Sequence, residues 1–188
     1  MKYALPSLLF VFSMVLFSCD SKTKMQQPIV KIAPVATQQI DLGAIEEVTF
    51  KTKQATKVFH YYTELKNSLV QTDAALSAKA SSMLKDVIRS IDTQKTTITA
   101  LEQMSSSSDI DLQRQKFVLV TSAVEKLLED QVATGSFFKQ YCPMAFNNTG
   151  GYWLSNSKEI RNPYFGDKML KCGRIDKEIN YNLDHLGH

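Results

Sequence analysis

The sequence predicts a mainly α-helical fold, an antiparallel bundle of four helices (or three helices and a looser segment) closed by a small C-terminal β-hairpin or irregular cap. Three observations carry that expectation. Apolar residues recur at intervals of three and four from Val58 to Leu128, the period of a helix with one buried face. Short polar breaks such as "QTD" and "SSSSD" interrupt the pattern, as they do where antiparallel helices are joined by tight loops. Past Gly135 the period stops, and "SFFKQYCPMAFNNTGGYWLS" sets a turn cluster between two β-prone runs.

At the N-terminus Lys2 precedes an apolar run from Ala4 to Phe17 and then "LFSC". A charged start, a run too short to span a bilayer comfortably and a small residue before the cut predict a secretory signal over residues 1–18. Leu16-Phe17-Ser18-Cys19 resembles the lipobox of bacterial lipoproteins. Cys19 is therefore expected to carry the lipid that anchors the chain in a membrane of the cell envelope, with the domain facing the periplasm or the cell surface. A soluble secreted protein cut nearby is the alternative. Residues 19–51, polar and broken by Pro28 and Pro34, read as a flexible tether.

The bundle is expected over residues 52–135. Between Thr52 and Gln71, the first helix turns Val58, Tyr61 or Tyr62, Leu65 and Leu69 inward. Thr72 or Asp73 caps the second, whose stripe is Leu76, Ala80, Met83 or Leu84, Val87 and Ile91. A weaker third helix from Thr93 to Met104 carries Ile98 and Leu101. Ser108 is expected to cap the fourth, which buries Ile110, Phe117, Val120, Val124, Leu127 and Leu128 until Gly135 ends it. Arg114, among those buried positions, is expected to snorkel or pair at the rim. His60 beside the buried face of the first helix reads first as a packing residue and second as an imidazole ligand.

A formal net charge of +3 over 188 residues is too even to predict a nucleic-acid partner, and no basic stripe is interleaved with aromatics. No enzyme is predicted either. The chain has no Cys-x-x-Cys and no candidate triad.

Residues 136–174 form the expected cap, and it holds the sulfur. If Cys142 and Met144 lie on extended backbone, their spacing places both sulfurs on one side. If "DKMLKC" is a helical turn ended by Gly173, Met169 and Cys172 also share a face. Thiolate and thioether ligands select soft ions, so Cu(I) is the first cofactor to test. Outside the cytoplasm the same cysteines are open to a disulfide, and the methionines to plain core packing. Trp153, Tyr164 and Phe165 are expected to cover the end of the bundle, with Asn162-Pro163 and Gly166 setting turns. Asn147-Asn148-Thr149 spells a glycosylation sequon that a bacterial lipoprotein has no use for. Residues 175–188, with His185 and His188, read as a tail.

"YCPMAF", "GGYWLS" and "EIRNPYFGDKMLKCG", with "YTELKNSLVQTD" and "QRQKF" upstream, resemble a bacterial domain-of-unknown-function family found as lipoproteins and as C-terminal modules of copper and silver efflux adaptors. The resemblance runs from about Lys53 to Arg174. It implies a metal-handling role, Cu(I) or Ag(I) as the ion, an efflux adaptor as partner, and Cys142, Met144, Met169 and Cys172 as the matching sulfur residues. In one place the chain departs from the pattern. Many members of that family carry a histidine-tryptophan-methionine cluster in the third helix, where "TQKTTITALEQM" offers only Met104.

Overall fold

The computed structural model describes residues 47–91 and 95–180. The expected signal over 1–18, Cys19, the tether as far as residue 46, and His185 and His188 lie outside the described residues. Four helices carry most of the regular structure, with five short strands in two antiparallel sheets. None of the described helices is long and apolar enough to cross a membrane.

Helix α1 spans Lys53–Val70 and starts where Thr52 accepts the Ala55 N–H at 3.1 Å. Helix α2 spans Ala74–Arg89, and the Asp73 carboxylate accepts the Leu76 N–H at 2.9 Å. Helices α3 and α4 span Lys95–Ser105 and Ile110–Leu128. Asp109, rather than Ser108, caps α4: its carboxylate accepts the N–H groups of Asp111 and Leu112 at 2.9 and 3.2 Å. A negative charge at that position also meets the positive end of the helix dipole. Consecutive helices pack against each other, and α1 also meets α4.

The buried face of α2 keeps the expected Ala80 and Leu84, with Val87 half-buried, but differs at the rest of the stripe. Leu76, Met83 and Ile91 are exposed, Leu76 by 48%, and Ser77, Ala80, Ser81, Leu84 and Ile88 face inward. Small residues bring the helix close to α1. The Ser81 hydroxyl keeps its hydrogen bond by donating to Ser77 C=O at 2.8 Å.

Strand β1, Thr49–Phe50, pairs with β2, Val132–Thr134, so structure begins inside the stretch expected as tether and α4 stops before residues expected as helix. Gly135 turns the chain from β2 to β3 instead of ending a helix. Strands β3 (Ser136–Cys142), β4 (Gly151–Ser155) and β5 (Arg174–Asn180) form an antiparallel sheet in the order β4-β3-β5. The expected hairpin is β3 and β4. Strand β5 occupies residues expected as tail, and its exposed Arg174, Asp176, Lys177 and Glu178 put charge on that edge of the sheet.

Two buried polar side chains tie the cap to the helices. The Tyr62 hydroxyl accepts the Leu154 N–H of β4 at 3.0 Å and shares a hydrogen bond with Thr121 of α4 at 2.9 Å, while its ring stacks on Phe117. Arg114 is 6% exposed, so it neither snorkels nor sits at the rim. Its guanidinium donates to Pro163 C=O, to Leu69 C=O and to the Thr72 hydroxyl at 3.0 to 3.2 Å, joining α4, the end of α1 and the cap loop. Gly166, at φ +57°, leaves that guanidinium room: a Cβ there would stand 3.0 Å from Arg114 Nη2 and 2.4 Å from Thr72 Oγ1.

Candidate functional site

Strand β3 delivers Cys142 to its last position, opposite Gly151 and fully buried. Beyond it the chain leaves extended geometry. Met144 sits on right-handed helical backbone and is 46% exposed, so the strand rule that would align its sulfur with Cys142 does not apply. Phe146, Asn147 and Asn148 then follow with positive φ, a left-handed turn held by the Gly150 N–H donating to Ala145 C=O at 2.9 Å and by Phe146 packing edge-on against Tyr164.

Cys172 arrives from the other side. Gly166–Met169 forms a 3-10 turn, and the Cys172 N–H donates to Met169 C=O at 3.0 Å, so the expected helical turn is a tighter one followed by a reverse turn. Asn162 fixes this loop. Its N–H donates to Leu170 C=O, its amide donates to Cys172 C=O, and its side-chain oxygen accepts the Tyr164 N–H, each at 2.8 Å. The next residue, Gly173, has φ +153° and lies against Trp153, whose ring atom would be 2.8 Å from an added Cβ. Glycine is therefore required for Cys172 to close down on the sheet.

The result is two free thiols with Sγ atoms 3.0 Å apart, brought together from positions 30 residues apart. Cys142 is buried and Cys172 half-buried, so one sulfur is enclosed and the other reachable. The Cys142 thiol hydrogen-bonded beside it, and then burial, push the Cys172 thiol up from 9.0 to about 11. Cys172, the reachable member, therefore stays protonated at neutral pH in the reduced state and is a poor nucleophile. Around the pair lie Trp153, its indole N–H buried without a partner, and Tyr164, whose hydroxyl donates to Tyr152 C=O.

Two thiols are a fitting donor set for a soft ion, with an adjustment. With metal–sulfur bonds near 2.3 Å as in zinc thiolates, two ligands at a tetrahedral angle stand about 3.8 Å apart. The pair must therefore open by somewhat under 1 Å to hold such an ion. Met169, half-buried, closes the turn that carries Cys172. His60 lies elsewhere: exposed on α1, it packs edge-on against Tyr61 and lines two grooves that include neither cysteine. Among the described residues, no three or more His, Cys, Asp or Glu side chains are grouped to hold a metal.

The residues that build the site without appearing in the sequence reading as site residues are Asn162, Arg114 and Tyr62. Each has a signal that points elsewhere: Asn162 in the Asn-Pro pair to a turn, Arg114 among buried positions to a rim pairing, and Tyr62 on the helix stripe to core packing. No curated protein and no solved structure matches the chain. Residues 58–135, most of the helical region and short of both Cys142 and Cys172, match the profile of a family described as a protein of unknown function (DUF3347), and the chain is similar to that family over this stretch.

Proposed function

We propose that this chain is a lipid-anchored binding protein of the cell envelope that captures soft monovalent ions, Cu(I) or Ag(I), on Cys142 and Cys172, to buffer them or to pass them to a heavy-metal efflux adaptor. The observation that supports the reading is the meeting of the two thiols, 3.0 Å apart, from strand β3 and from a loop that Asn162 holds shut. Soft sulfur donors favour these ions over zinc or hard cations. Met169, tied to Cys172 through its turn, and Met144, two residues past Cys142, are the thioethers nearest along the chain. Cys19 supplies the anchor through its lipid, and no catalytic step is assigned.

Titration of the reduced protein with Cu(I) against a competing chelator is expected to give one ion per chain, and a Cys142→Ser, Cys172→Ser variant to retain none. Each bound ion displaces thiol protons, so the apparent affinity is expected to rise with pH below about 11. Wild-type protein that yields all its copper to the chelator sinks the proposal.

A second reading is favoured by the same distance, which is shorter than two metal-bound thiolates allow. Here the pair is a staple: two thiols become a disulfide, giving up two protons and two electrons to an envelope thiol oxidant. The lipoprotein then serves as a scaffold or adaptor. Closing a loop of this length is worth about 3 to 4 kcal/mol in the chain-entropy account. Protein isolated from the envelope with no titratable thiol, and melting lower after reduction, favours this reading.

A further inference from the structure

Away from the thiols, a cavity of about 310 Å³ opens between the last turns of α1 and the loop after β4, lined by Lys66, Gln71, Ser155, Ser157, Arg161 and the Glu159 carboxylate among others. Lys66 is 3% exposed, yet no carboxylate among the described residues comes within ion-pair reach of it. Arg161 is half-exposed and has only a loose partner, the Glu159 carboxylate at 3.9 Å. Two cations thus share one polar cleft with a single carboxylate, Glu159, which leaves one positive charge in excess.

Neither cation is needed to finish the helix. The last carbonyls of α1 are already occupied: Asn67 C=O accepts the Gln71 N–H, Ser68 C=O the Asp73 N–H, and Leu69 C=O both the Thr72 N–H and Arg114. Burial, then repulsion from Arg161, push the Lys66 ammonium down to about 8, with Glu159 pulling the other way. A buried ammonium left in that state is stabilised by any anion that reaches it.

We propose that this cleft is a binding site for the oxyanion group, phosphate or carboxylate, of a small molecule, with Lys66 as the buried point charge, Arg161 as the two-pronged donor at the mouth, and the hydroxyls of Ser155 and Ser157 as the neutral donors. Arginine matches both oxyanions with parallel N–H bonds, whereas lysine supplies undirected charge. The site is separate from the thiol pair, so its failure leaves the proposed metal function untouched.

The test is calorimetric titration of the full chain at pH 7 with inorganic phosphate and, separately, with succinate, ionic strength being held constant with chloride. Saturable binding of one ligand per chain is expected for at least one of the two, and the one that binds identifies the group. Lys66→Met and Arg161→Gln are each expected to weaken it at least tenfold, the second change lying on an exposed loop where folding is not at stake. Raising the pH from 7 to 9 is expected to weaken binding several-fold in the wild type and not in Lys66→Arg. No binding of either probe beyond the chloride background, or wild-type affinity in both Lys66→Met and Arg161→Gln, overturns the proposal.

Discussion

The helices and the cap are held together by opposite means. From α1 to α4 the interior is mostly apolar, Val58, Leu65, Leu69, Leu84, Ile88, Leu101, Phe117, Val120 and Val124, and its cohesion depends chiefly on area, with buried Gln113 bonding the Ala74, Met104 and Ser107 carbonyls as the main directed exception. The cap is fixed by a few buried polar groups aimed at backbone: Asn162 at three partners, Gln140 at Ser157 C=O and Glu159 C=O, and Arg114 and Tyr62 from the helices. An oily interface lets neighbours shift by fractions of an ångström at little cost, but a bonded one does not. That difference explains why the two thiols belong to the cap: sulfurs that must meet within about an ångström need the second kind of support.

The contrast can be broken first in the helices, where the largest effect is expected. Leu84→Ala, which empties a fully buried site on α2, should cost about 2 to 5 kcal/mol, while Leu76→Ala, about two turns earlier and exposed, should stay within about 0.5. Urea unfolding measures both. Equal losses would overturn the assignment of the α2 face, and with it the view that apolar area is the main support of this half.

In the cap the expected cost is smaller and the structural consequence larger. Asn162→Ala leaves Cys172 C=O and the Tyr164 N–H without their partner, for about 2 to 3 kcal/mol. The thiols should part as well, so disulfide formation under a mild oxidant should slow well below the wild-type rate; an unchanged rate would mean that the sheet alone positions them. Tyr62→Phe keeps the stacked ring and removes only the hydroxyl that accepts the Leu154 N–H, an expected loss of about 1 to 2 kcal/mol. Hydrogen exchange at Leu154 reports whether β4 loosens with it.

The same contrast governs how far the sequence could be read. Thr52 and Asp73 cap helices where their residue type says they should, because capping is decided within a few residues. On α2 the pattern finds Ala80 and Leu84 but misses Ser77 and Ser81, which count as polar in any periodic pattern although serines inside a helix can pack as small residues, as Ser81 does by bonding Ser77 C=O. Strand β5 carries one buried residue, Ile179, so it has no alternation to detect and exists because β3 offers it a free edge. Met144 was aligned with Cys142 by a strand rule that fails once the chain turns at Pro143. Arg114 and Asn162 were read by type, as a rim cation and a turn former, because their partners lie far off in sequence and no local pattern names them.

The subtlest difference between the halves lies in the alkaline range. Lys66 of α1 has its folded pKa lowered from 10.5 to about 8 by burial, so between those values the unfolded chain holds a proton that the folded one has released. Stability should therefore rise with pH across that window. Cys172 of the cap has its pKa raised from 9.0 to about 11, so there the folded chain keeps a proton the unfolded one has lost. Its contribution is complete below 9 and disappears as the pH climbs through 11. The thiol is half-exposed, which weakens its share through solvent screening. Unfolding followed between pH 7.5 and 11 in reduced protein separates the two: Lys66→Met should remove the rise and leave the fall, and Cys172→Ser should do the reverse. If Cys172→Ser leaves the alkaline limb unchanged, the hydrogen bond that Cys172 donates to Cys142 does not hold its proton, and the thiols are not the coupled pair that the site requires.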